Sequence, residues 1–462
     1  MKLDLELAKK YSRPGPRYTS YPTAPHFNED IGPAHYATEL NDAGMPVTDE
    51  FSLYFHLPFC RSLCYFCACN MIVTRRREQI SGYLNILKQE IDLLSSRISK
   101  DRKVDQLHWG GGTPTYLTAD EIRDLMSHIH SRFSFTADAE ISVEIDPGEM
   151  SPGHAVALAE SGFNRVSCGV QDFNPKVQAA INRIQPYEMT AEALELLRSN
   201  GIDHFNIDLI YGLPFQTVES FSETLEQVLT LNPNRLAVYN YAYVPWLKKH
   251  QNLIDEATLP TPEVKLAMHA RIIEYLTSVG GMAFIGMDHF ARPEDELALA
   301  LNNRALHRNF QGYSIKAGLD MYSLGITSIS QTYHYYVQNT KLISNYRKMV
   351  EGGQLPVERG IRLTEDDYLR RQIIQDIMCR FELDTKKISA KFGIDFRADF
   401  EHEISRLGTF ADDGLLVDEG DKILITENGR LFIRNIAMAF DAYLPHDSQP
   451  TTSRQPRYSK TV

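Results

Sequence analysis

The sequence predicts an α/β protein whose central domain is a partial (βα)6 TIM-like barrel. Between about residues 51 and 245, short apolar segments of strand length alternate with longer amphipathic segments, which is typical of parallel strands with helices outside. Six such units are too few to close an eight-stranded barrel, so we expect an open one. An N-terminal arm precedes the barrel, and a mostly helical, winged-helix-like domain follows it.

Residues 1–50 show no sustained period and are predicted to form an arm over the active site. The segment 13–22 contains several prolines, two arginines and two tyrosines, and the prolines favour extended backbone over helix. A disordered tail is the alternative. The tyrosines and arginines among the prolines favour a packed arm.

The predicted catalytic domain runs from residue 51 to residue 345. Its strands are predicted at 51–57, 104–110, 140–146, 165–170, 204–210 and 235–241. Its clearest helices are predicted at 81–95, 121–132, 187–198, 218–229 and 262–279. The strands are short and apolar, and the helices carry one apolar face.

A separate C-terminal helical domain is predicted over residues 346–445. Helices at 385–392 and 398–407 precede strands at 415–417 and 422–426, an order typical of winged helices. Winged helices often bind DNA, but the many acidic residues here favour a structural or substrate-capping role. Residues 446–462 are polar with several prolines and are predicted to be a flexible tail.

Composition and charge argue against several classes of function. The chain of 462 residues is 43% hydrophobic and 23% charged, with a net charge of -12. That charge argues against general nucleic-acid binding, which requires a basic surface. No apolar run approaches the ~20 residues that cross a bilayer, and the acidic N-terminal residues do not resemble a signal peptide. We therefore expect a cytoplasmic protein without a nucleic-acid or membrane partner.

Four of the six cysteines lie within ten residues, directly after the first predicted strand. Cys60, Cys64 and Cys67 follow the spacing C-x3-C-x2-C, so three thiolates on one short loop can reach three corners of a cubane cluster. The fourth iron then has no protein ligand and is open to another molecule. Soft thiolates suit such clusters, whose low reduction potentials support one-electron chemistry.

Three other uses of these cysteines fit the sequence less well. Structural zinc usually takes a second ligand pair after a longer spacer, which is absent from this sequence. A disulfide knot requires an oxidising compartment, and the N-terminal residues do not indicate export. Packed core cysteines would not lie beside Arg61 and Asn70 in one run. Cys168 and Cys379 are isolated in sequence and are predicted to fill the core.

Polar residues and glycines follow the other predicted strands and form a candidate active-site edge. The glycine run at 110–112 lets the backbone approach a ligand closely, because it lacks β-carbons. Glu144 ends the third strand and is either a solvated edge acid or an acceptor for ribose hydroxyls. Asp208 lies inside an apolar run, where a carboxylate is costly to bury unless a donor pairs with it. Gln171 and Ala242 follow the fourth and sixth strands.

Several motifs of the chain match one known family. They are Gly-Pro-Arg-Tyr-Thr-Ser-Tyr-Pro-Thr at 15–23, Pro-Phe-Cys at 58–60, Cys-Tyr-Phe-Cys at 64–67, His-Trp-Gly-Gly-Gly-Thr-Pro-Thr-Tyr-Leu at 108–117, Gly-Val-Gln-Asp-Phe at 169–173, Asn-Ile-Asp-Leu-Ile-Tyr-Gly-Leu-Pro at 206–214 and Gly-Met-Asp-His-Phe-Ala at 286–291. From about residue 11 to 444, the chain resembles the oxygen-independent coproporphyrinogen III oxidase family of the radical S-adenosylmethionine (SAM) superfamily. Two positions depart from its pattern: Ala68 stands where glycine is common, and Gly148 where arginine is common.

The resemblance implies a fold of the radical SAM type that holds a [4Fe–4S] cluster and two SAM molecules. By position, Cys60, Cys64 and Cys67 bind the cluster, whereas Cys69 lies near it without being a ligand. The residues implied to contact the first SAM are Tyr54, Phe66, Gly111, Glu144, Ala242 and Ile329. The residues implied to hold the second are Gly112, Thr113, Gln171, Arg183 and Asp208.

The resemblance also implies the reaction and its partners. One electron from the cluster cleaves SAM to methionine and a 5′-deoxyadenosyl radical, which abstracts hydrogen from a propionate β-carbon of coproporphyrinogen III. Loss of CO2 and of one electron leaves a vinyl group, and two such rounds give protoporphyrinogen IX. The implied partners are a reductant such as flavodoxin or ferredoxin and an electron acceptor of unknown identity. We expect a monomer.

Arginines are expected in the substrate pocket, because the substrate has four carboxylates. The candidates are Arg13, Arg17, Arg292, Arg304 and Arg308, and the alternative for each is a solvated surface charge. Within the same fold, the alternative function is a haem-binding or haem-modifying radical SAM relative. From another class, the alternative is a zinc-stabilised scaffold without catalysis.

Overall fold

The computed structural model describes residues 3–41, 48–445, 458, 460 and 461, and the chain divides into two compact units. The barrel unit consists of Phe27–Pro260 and Gly318–Arg362. The terminal unit consists of Met1–His26, Thr261–Ala317 and Leu363–Val462. Most of the predicted tail at 446–462 lies outside the described residues.

The elements of the described chain have the following bounds. The strands are β1 Glu50–Leu57, β2 Phe59–Cys60, β3 Ile72–Val73, β4 Lys103–Gly111, β5 Ser134–Ile145, β6 Arg165–Gln171, β7 His204–Tyr211, β8 Arg235–Asn240, β9 Ala283–Gly286, β10 His289–Ala291, β11 His307–Asn309, β12 Gly312–Ser314, β13 Asp320–Leu324, β14 Ile329–Gln331, β15 Tyr335–Asn339, β16 Val357–Arg362, β17 Glu382–Asp384, β18 Leu416–Asp418 and β19 Lys422–Ile425. The helices are α1 Leu5–Tyr11, α2 Pro33–Leu40, α3 Arg77–Ser95, α4 Ala119–Arg132, α5 Pro152–Glu160, α6 Pro175–Ala180, α7 Tyr187–Arg198, α8 Val218–Thr230, α9 Pro262–Glu274, α10 Glu296–Asn302, α11 Ile343–Glu351, α12 Glu365–Gln375, α13 Thr385–Phe392, α14 Phe396–Asp399, α15 Glu401–Asp412 and α16 Ile433–Ala437.

A parallel sheet forms the centre of the barrel unit. Strands β1, β4, β5, β6, β7 and β8 lie side by side in that order, and each neighbouring pair is parallel. They are the six predicted strands, so the predicted partial (βα)6 barrel is confirmed. The main difference in bounds is β5, which begins six residues before the predicted start.

The sheet also extends beyond β1, which the sequence analysis did not predict. Strand β13 pairs in parallel with β1, and β14, β15 and β16 follow it in antiparallel order. These strands are short and carry many polar residues, and antiparallel neighbours need no helix between them. They therefore lack the alternation of strand and helix by which the first six strands were recognised.

Strand β7 illustrates how the sheet positions its side chains. Its buried residues alternate with less buried ones along the strand, because successive side chains point to opposite faces. Ile207 is fully buried on one face, whereas Asn206 and Asp208 lie on the other. A polar residue inside an apolar run thus reaches the interior of the barrel without entering the packed layer between sheet and helices.

The start of α4 is fixed by a capping box. The Thr118 hydroxyl accepts from the Glu121 N–H at 3.2 Å, and the Glu121 carboxylate accepts from the Thr118 N–H at 2.8 Å. The pair satisfies backbone donors that the first turn of a helix leaves open. The predicted start of this helix at residue 121 is therefore two residues late, since Ala119 already belongs to it.

The terminal unit contains an ordered N-terminal segment. The buried Arg434 side chain, on α16, donates to the carbonyl oxygens of Pro16 and Lys460 at 2.9 Å each. Tyr18 donates to Asp441 at 2.9 Å. These bonds fix the proline-rich segment on the C-terminal helices, so the alternative of a disordered tail is wrong for this segment. Its predicted place over the active site stays a prediction.

The C-terminal elements follow the predicted winged-helix-like order, with two corrections. Helix α13 has the predicted bounds, but the predicted helix at 398–407 is two helices, α14 and α15, which meet at Phe400. Strand β17 pairs with β19 and was not predicted. The predicted helix at 262–279 is α9, continued by a π-helical turn, Tyr275–Val279.

None of the helices in the described residues is both long and apolar enough to cross a membrane.

Replacing Leu107 by alanine is expected to lower the free energy of unfolding of the barrel unit by about 2–5 kcal/mol. The side chain is fully buried on the central strand β4, so its loss leaves a cavity. Unfolding in denaturant, followed by circular dichroism, measures the change. Leu342→Ala is the matched control, because Leu342 is 60% exposed, and it should change stability by less than about 0.5 kcal/mol. Equal losses in the two variants would contradict a central position for β4.

Candidate active site

The candidate site lies at the edge formed by the carboxyl ends of the parallel strands, here called the active-site edge. The cysteine loop, residues 60–69, follows β1, and the glycine run at 110–112 ends β4. Glu144 is next to the last residue of β5, Gln171 is the last residue of β6, and Ala242 lies two residues after β8. Because all these strands run in the same direction, their carboxyl ends meet at one edge.

One side of the cysteine loop is held by the segment between α6 and α7. The Tyr65 N–H donates to the Ile181 carbonyl at 3.0 Å, and the Asn182 side chain donates to the Leu63 carbonyl at 2.8 Å. Both bonds involve backbone groups of the loop, so they fix its path and leave the cysteine side chains available to a ligand.

The other side of the cysteine loop is held by residues that follow β8. Three side chains there bind carbonyl oxygens of the loop. They are Lys248 Nζ, which donates to Cys69 O at 3.0 Å, His250 Nε2, which lies 2.6 Å from Cys67 O, and Gln251 Nε2, which donates to Phe66 O at 2.9 Å. Gln251 also donates to Ala242 O at 3.2 Å, which ties the loop to the end of β8.

Phe66 anchors the loop by apolar packing. Its ring packs against a buried cluster that includes Val177, Leu213, Tyr241 and Ile254. The cluster joins residues that follow three strands, β6, β7 and β8, so the loop is packed as well as hydrogen-bonded.

Two sulfur atoms of the loop have polar neighbours, one on the segment after β4 and one on the segment between α6 and α7. Thr113 Oγ1 donates to Cys60 Sγ at 3.4 Å, and Arg183 Nη1 lies 3.8 Å from Cys64 Sγ. Burial raises the pKa of the Cys60 thiol to about 12. Burial also raises the pKa of Cys64, against the opposing charge of Arg183. A hydrogen bond from Cys69 lowers the pKa of Cys67.

This donor set fits an iron–sulfur cluster. Metal binding requires the thiolates, and the guanidinium of Arg183 beside Cys64 reduces the cost of gathering negative charge in a buried loop. Within residues 3–41 and 48–445 and the three described residues near the C terminus, no three His, Cys, Asp or Glu side chains converge as ligands of a single ion do. A four-iron cluster does not need that convergence, because each cysteine binds a different iron.

The glycine run packs against the end of β1 and the start of the cysteine loop. Gly111 has a φ of +115°, and a β-carbon there would lie 2.6 Å from the His56 ring. A β-carbon on Gly112 would lie 2.5 Å from the Pro58 carbonyl carbon. The Gly112 N–H donates to the Leu57 carbonyl at 2.9 Å. Close packing therefore requires glycine at both positions. This is a second reason for the glycine run, beside the close approach of a ligand that the sequence analysis predicts.

Glu144 lies between the glycine run and an aromatic pair. Its carboxylate accepts from the Gly111 N–H at 3.0 Å and lies 3.5 Å from His108 Nε2. The Tyr54 ring stacks on His108 with centroids 5.9 Å apart. Burial would raise the pKa of Glu144, but the hydrogen bond and charge of His108 and the Gly111 N–H lower it below its usual value. The side chain is 44% exposed, so an ionised acceptor is open to a ligand.

Asp208 has the donors that its apolar surroundings require. Ser167 Oγ and Asn206 Nδ2 each donate to its carboxylate at 2.9 Å, and Asn206 also donates to Ser167 at 2.9 Å. Burial raises the pKa of Asp208 to about 6, with a smaller contribution from the charge of Glu144. At neutral pH Asp208 is ionised.

Arg183 connects three strand ends. Its guanidinium donates to the Gly169 carbonyl at 2.8 Å, pairs with Asp146 at 3.1 Å and reaches Cys64. Gln171, on the same strand as Gly169, has a φ of +68°, a left-handed conformation that is costly for a residue with a β-carbon. Strain of this kind is typical of positions where a strand is turned to present a side chain at a site.

Most of the predicted site residues meet at the active-site edge. The contacts that join them are Cys60 with Thr113, Cys64 with Arg183, Gly111 with Glu144 and, through Gln251, Phe66 with Ala242. Ile329 lies on the opposite side of β1 from the residues on β4 to β8, since it is on β14 with β13 between β14 and β1. Whether these residues bind SAM stays a prediction.

The predicted carboxylate-binding arginines lie in the terminal unit, and Arg17 and Arg304 are among those with acidic partners. Arg17 forms an ion pair with Asp288, and Arg304 pairs with Glu382 at 2.7 Å. Arg308 is 2% exposed and donates to the Arg17 carbonyl at 3.2 Å. The alternative of a solvated surface charge is wrong for Arg308. Substrate binding by these arginines stays a prediction.

The sequence analysis missed the side chains that hold the cysteine loop in place. These side chains lie far from the loop in sequence: Asn182 follows α6, and Lys248, His250 and Gln251 lie at or in a short 3-10 helix, Lys249–Leu253. Their partners are backbone carbonyls, which leave no trace in the sequence. The only available signal was the position of these segments directly after predicted strands or helices of the barrel.

Two protein families match this chain. The radical SAM superfamily matches residues 54–228, and the HemN C-terminal domain matches residues 363–432. The first range contains the cysteine loop and the strands from β4 to β7. The second contains most of the predicted C-terminal domain.

Relatives named oxygen-independent coproporphyrinogen III oxidase are similar over almost the whole chain. The protein of Helicobacter pylori strain J99 is 46% identical over 444 residues, which cover 96% of this chain and 97% of that one. The protein of Escherichia coli strain K12 is 46% identical over 441 residues, covering 96% and 95%. The protein of Synechocystis is 43% identical over 448 residues, covering 96% of each.

A solved structure has the same fold. It is described as "Coproporphyrinogen III oxidase (HemN) from Escherichia coli is a Radical SAM enzyme", and it matches with a TM-score of 0.91 and 45% identity. The match covers 96% of this chain and 100% of that one. The chain therefore belongs to the oxygen-independent coproporphyrinogen III oxidase family of the radical SAM superfamily.

Proposed function

We propose that this protein converts two propionate side chains of coproporphyrinogen III to vinyl groups without oxygen, giving protoporphyrinogen IX. It is a radical SAM oxidoreductase. The observation that carries the proposal is the full-length similarity to relatives of that name, together with three cysteines on one loop at the active-site edge.

The cysteine loop would hold a [4Fe–4S] cluster through Cys60, Cys64 and Cys67. Bound there, the cluster together with SAM would supply the one-electron radical chemistry that removal of hydrogen from the propionate requires. The protein fixes the loop from both sides, so the three thiols keep their spacing before any metal binds. Arg183 offsets part of the thiolate charge beside Cys64.

The first SAM would lie between the cysteine loop and Glu144. The residues proposed to contact it are Tyr54, Phe66, Gly111, Glu144, Ala242 and Ile329. The ionised, partly open carboxylate of Glu144 suits ribose hydroxyls as donors, since hydrogen bonds to a charged acceptor are the stronger ones.

A second SAM is proposed beside the first. The residues proposed to hold it are Gly112, Thr113, Gln171, Arg183 and Asp208. Asp208 is ionised at neutral pH and would attract the positive sulfonium or ammonium group of SAM. Its neighbours Ser167 and Asn206 hold the carboxylate in one orientation.

The remaining parts of the proposal concern partners. The cluster requires a low-potential one-electron donor, such as flavodoxin or ferredoxin, and the reaction requires an acceptor whose identity is unknown. We propose a monomer that acts in the cytoplasm without a nucleic-acid or membrane partner. The net charge of -12 supports the absence of nucleic-acid binding.

Anaerobic turnover tests the proposed reaction. The reconstituted protein, supplied with SAM, a reductant and coproporphyrinogen III, should form a vinyl-bearing tetrapyrrole in step with 5′-deoxyadenosine. SAM cleavage without decarboxylation would contradict the proposed substrate and indicate another tetrapyrrole. Bound haem without SAM cleavage would contradict the enzyme and favour a haem-binding relative.

Replacing Cys64 by alanine should abolish cluster assembly and activity, because only two thiolates of the C-x3-C-x2-C spacing remain. Cys69→Ala is the matched control, since Cys69 is exposed and outside the spacing, and it should retain iron close to the wild-type content. Iron and sulfide analysis after reconstitution measures both. An intact cluster in the Cys64 variant, or its loss in the Cys69 variant alone, would overturn the ligand assignment.

Replacing Asp208 by asparagine should remove one of the two bound SAM molecules. The pKa of Asp208 is about 6 because of burial and the nearby charge of Glu144, with His108 acting in the opposite direction. The carboxylate is therefore charged above pH 6 and neutral below it. Wild-type protein should lose affinity for the second SAM as the pH falls through 6, whereas the variant should bind one SAM at either pH.

Equilibrium dialysis with labelled SAM on both sides of pH 6 measures this stoichiometry. Ser167→Ala is the matched control, because it removes one hydrogen bond to Asp208 and keeps the charge. It should still bind two SAM molecules above pH 6. Two SAM molecules bound by Asp208→Asn at every pH would show that Asp208 is not part of the second site.

A further inference from the structure

A turn at residues 325–328, here called the 325 turn, connects β13 to β14 and is bound by a buried acid. Glu90, on α3, is 2% exposed, and its carboxylate accepts from the Gly325 N–H at 2.7 Å. It also accepts from the Asn339 side chain at 2.7 Å and from the Tyr346 hydroxyl at 2.5 Å. Three donors from three separate elements thus converge on one carboxylate.

A second side chain of α3 binds the next residue of the turn. The Tyr83 hydroxyl accepts from the Ile326 N–H at 3.1 Å and donates to the His56 carbonyl at 2.8 Å. His56 lies near the end of β1, directly before the cysteine loop. Helix α3 therefore fixes two successive N–H groups of the turn and joins them to the strand that carries the cysteines.

Gly325 fits this network closely. It has a φ of +92°, and a β-carbon would lie 2.5 Å from the Tyr83 hydroxyl and 2.6 Å from the His56 carbonyl oxygen. Asn339 Nδ2 donates to the Gly325 carbonyl at 2.9 Å as well as to Glu90. Both polar groups of the Gly325 backbone are bound by side chains, so the turn has little freedom to shift.

The 325 turn belongs to the active-site edge. Strand β13 is parallel to β1, so the turn after β13 and the cysteine loop after β1 lie at the same edge of the sheet. The Asn70 side chain, next to the cysteine loop, lies 3.5 Å from Thr327 Oγ1. Ile329, which is proposed to contact the first SAM, follows the turn directly.

Glu90 is costly to bury as a charged group, but its oxygens satisfy donors that an apolar side chain would leave unpaired. Burial raises the pKa of Glu90 to about 7, against the hydrogen bonds that stabilise its charge. Its three donors are neutral, and a buried charge usually costs more than well-packed apolar groups in the same place. What a carboxylate does provide is two oxygen acceptors, which three converging donors require.

We propose that Glu90 is a positioning residue for SAM. By holding Gly325, it fixes the 325 turn and therefore the place of Ile329 at the active-site edge, without touching SAM itself. The proposal rests on the proposed function only in assigning Ile329 to the first SAM.

Glu90→Gln tests this role, because it preserves size and removes one acceptor. The new amide NH2 group would face one of the donors that now bind the Glu90 carboxylate. The Asn339 side-chain amide cannot rotate by 180° to present its oxygen instead, because it would lose its hydrogen bond to the Gly325 carbonyl. SAM affinity, measured by equilibrium dialysis on the reconstituted protein, should fall about tenfold or more. The Gly325 and Ile326 amides should exchange hydrogen faster, while iron content and affinity for coproporphyrinogen III stay at wild-type values.

Asp92→Asn is the matched control on the same helix. Asp92 binds Arg132 and His128 on α4 and does not reach the 325 turn, so its loss should leave SAM affinity and the two amides unchanged. If Glu90→Gln weakens SAM binding no more than Asp92→Asn, the proposal is wrong. It is also wrong if affinities for SAM and for the tetrapyrrole fall together, since that indicates general destabilisation.

Tyr346→Phe provides a second variant that keeps the acid and removes one of its donors. It should weaken SAM binding less than Glu90→Gln does, with the same faster exchange at Gly325. Unchanged exchange and unchanged SAM affinity in this variant would also contradict the proposal. SAM binding and amide exchange are measured without turnover, so these two readouts do not depend on which tetrapyrrole the protein converts.

Discussion

The parallel pairing of β1 with β4 on one side and β13 on the other is the constraint on which the site depends. These strands run in the same direction, so the segments that follow them meet at one edge. The cysteine loop follows β1, the glycine run ends β4, and the 325 turn follows β13. A slip of one residue in either pairing would turn alternate side chains to the opposite face. Register therefore sets which groups surround the cysteines.

Two buried charges of the barrel unit, those of Arg183 and Asp208, are held by partners. Arg183 connects Asp146 to the cysteine loop, and Asp208 is held by two neutral donors. Buried charges remain ionised only where such partners offset desolvation. This arrangement gives the site positive charge beside the thiols and negative charge deeper in the barrel, which matches a cluster bound at the edge and cationic SAM beside it.

Sequence reasoning succeeded where one property repeats along the chain and failed where a contact joins distant segments. The six barrel strands are apolar runs separated by helices, and Cys60, Cys64 and Cys67 have a fixed spacing, so both were predictable. Strands β13 to β16 are short and polar and have no helices between them. Glu90 was missed because an acid on an amphipathic helix usually faces solvent. Only the fold shows that its carboxylate faces Gly325.

The most direct test of this account is the metal content and iron environment of the anaerobically reconstituted protein, measured by iron and sulfide analysis with Mössbauer spectroscopy. The account predicts four irons and four sulfides per chain, with one iron distinct from the other three and altered when SAM is added. A single tightly bound metal ion without sulfide, or four irons that SAM leaves unchanged, would contradict it.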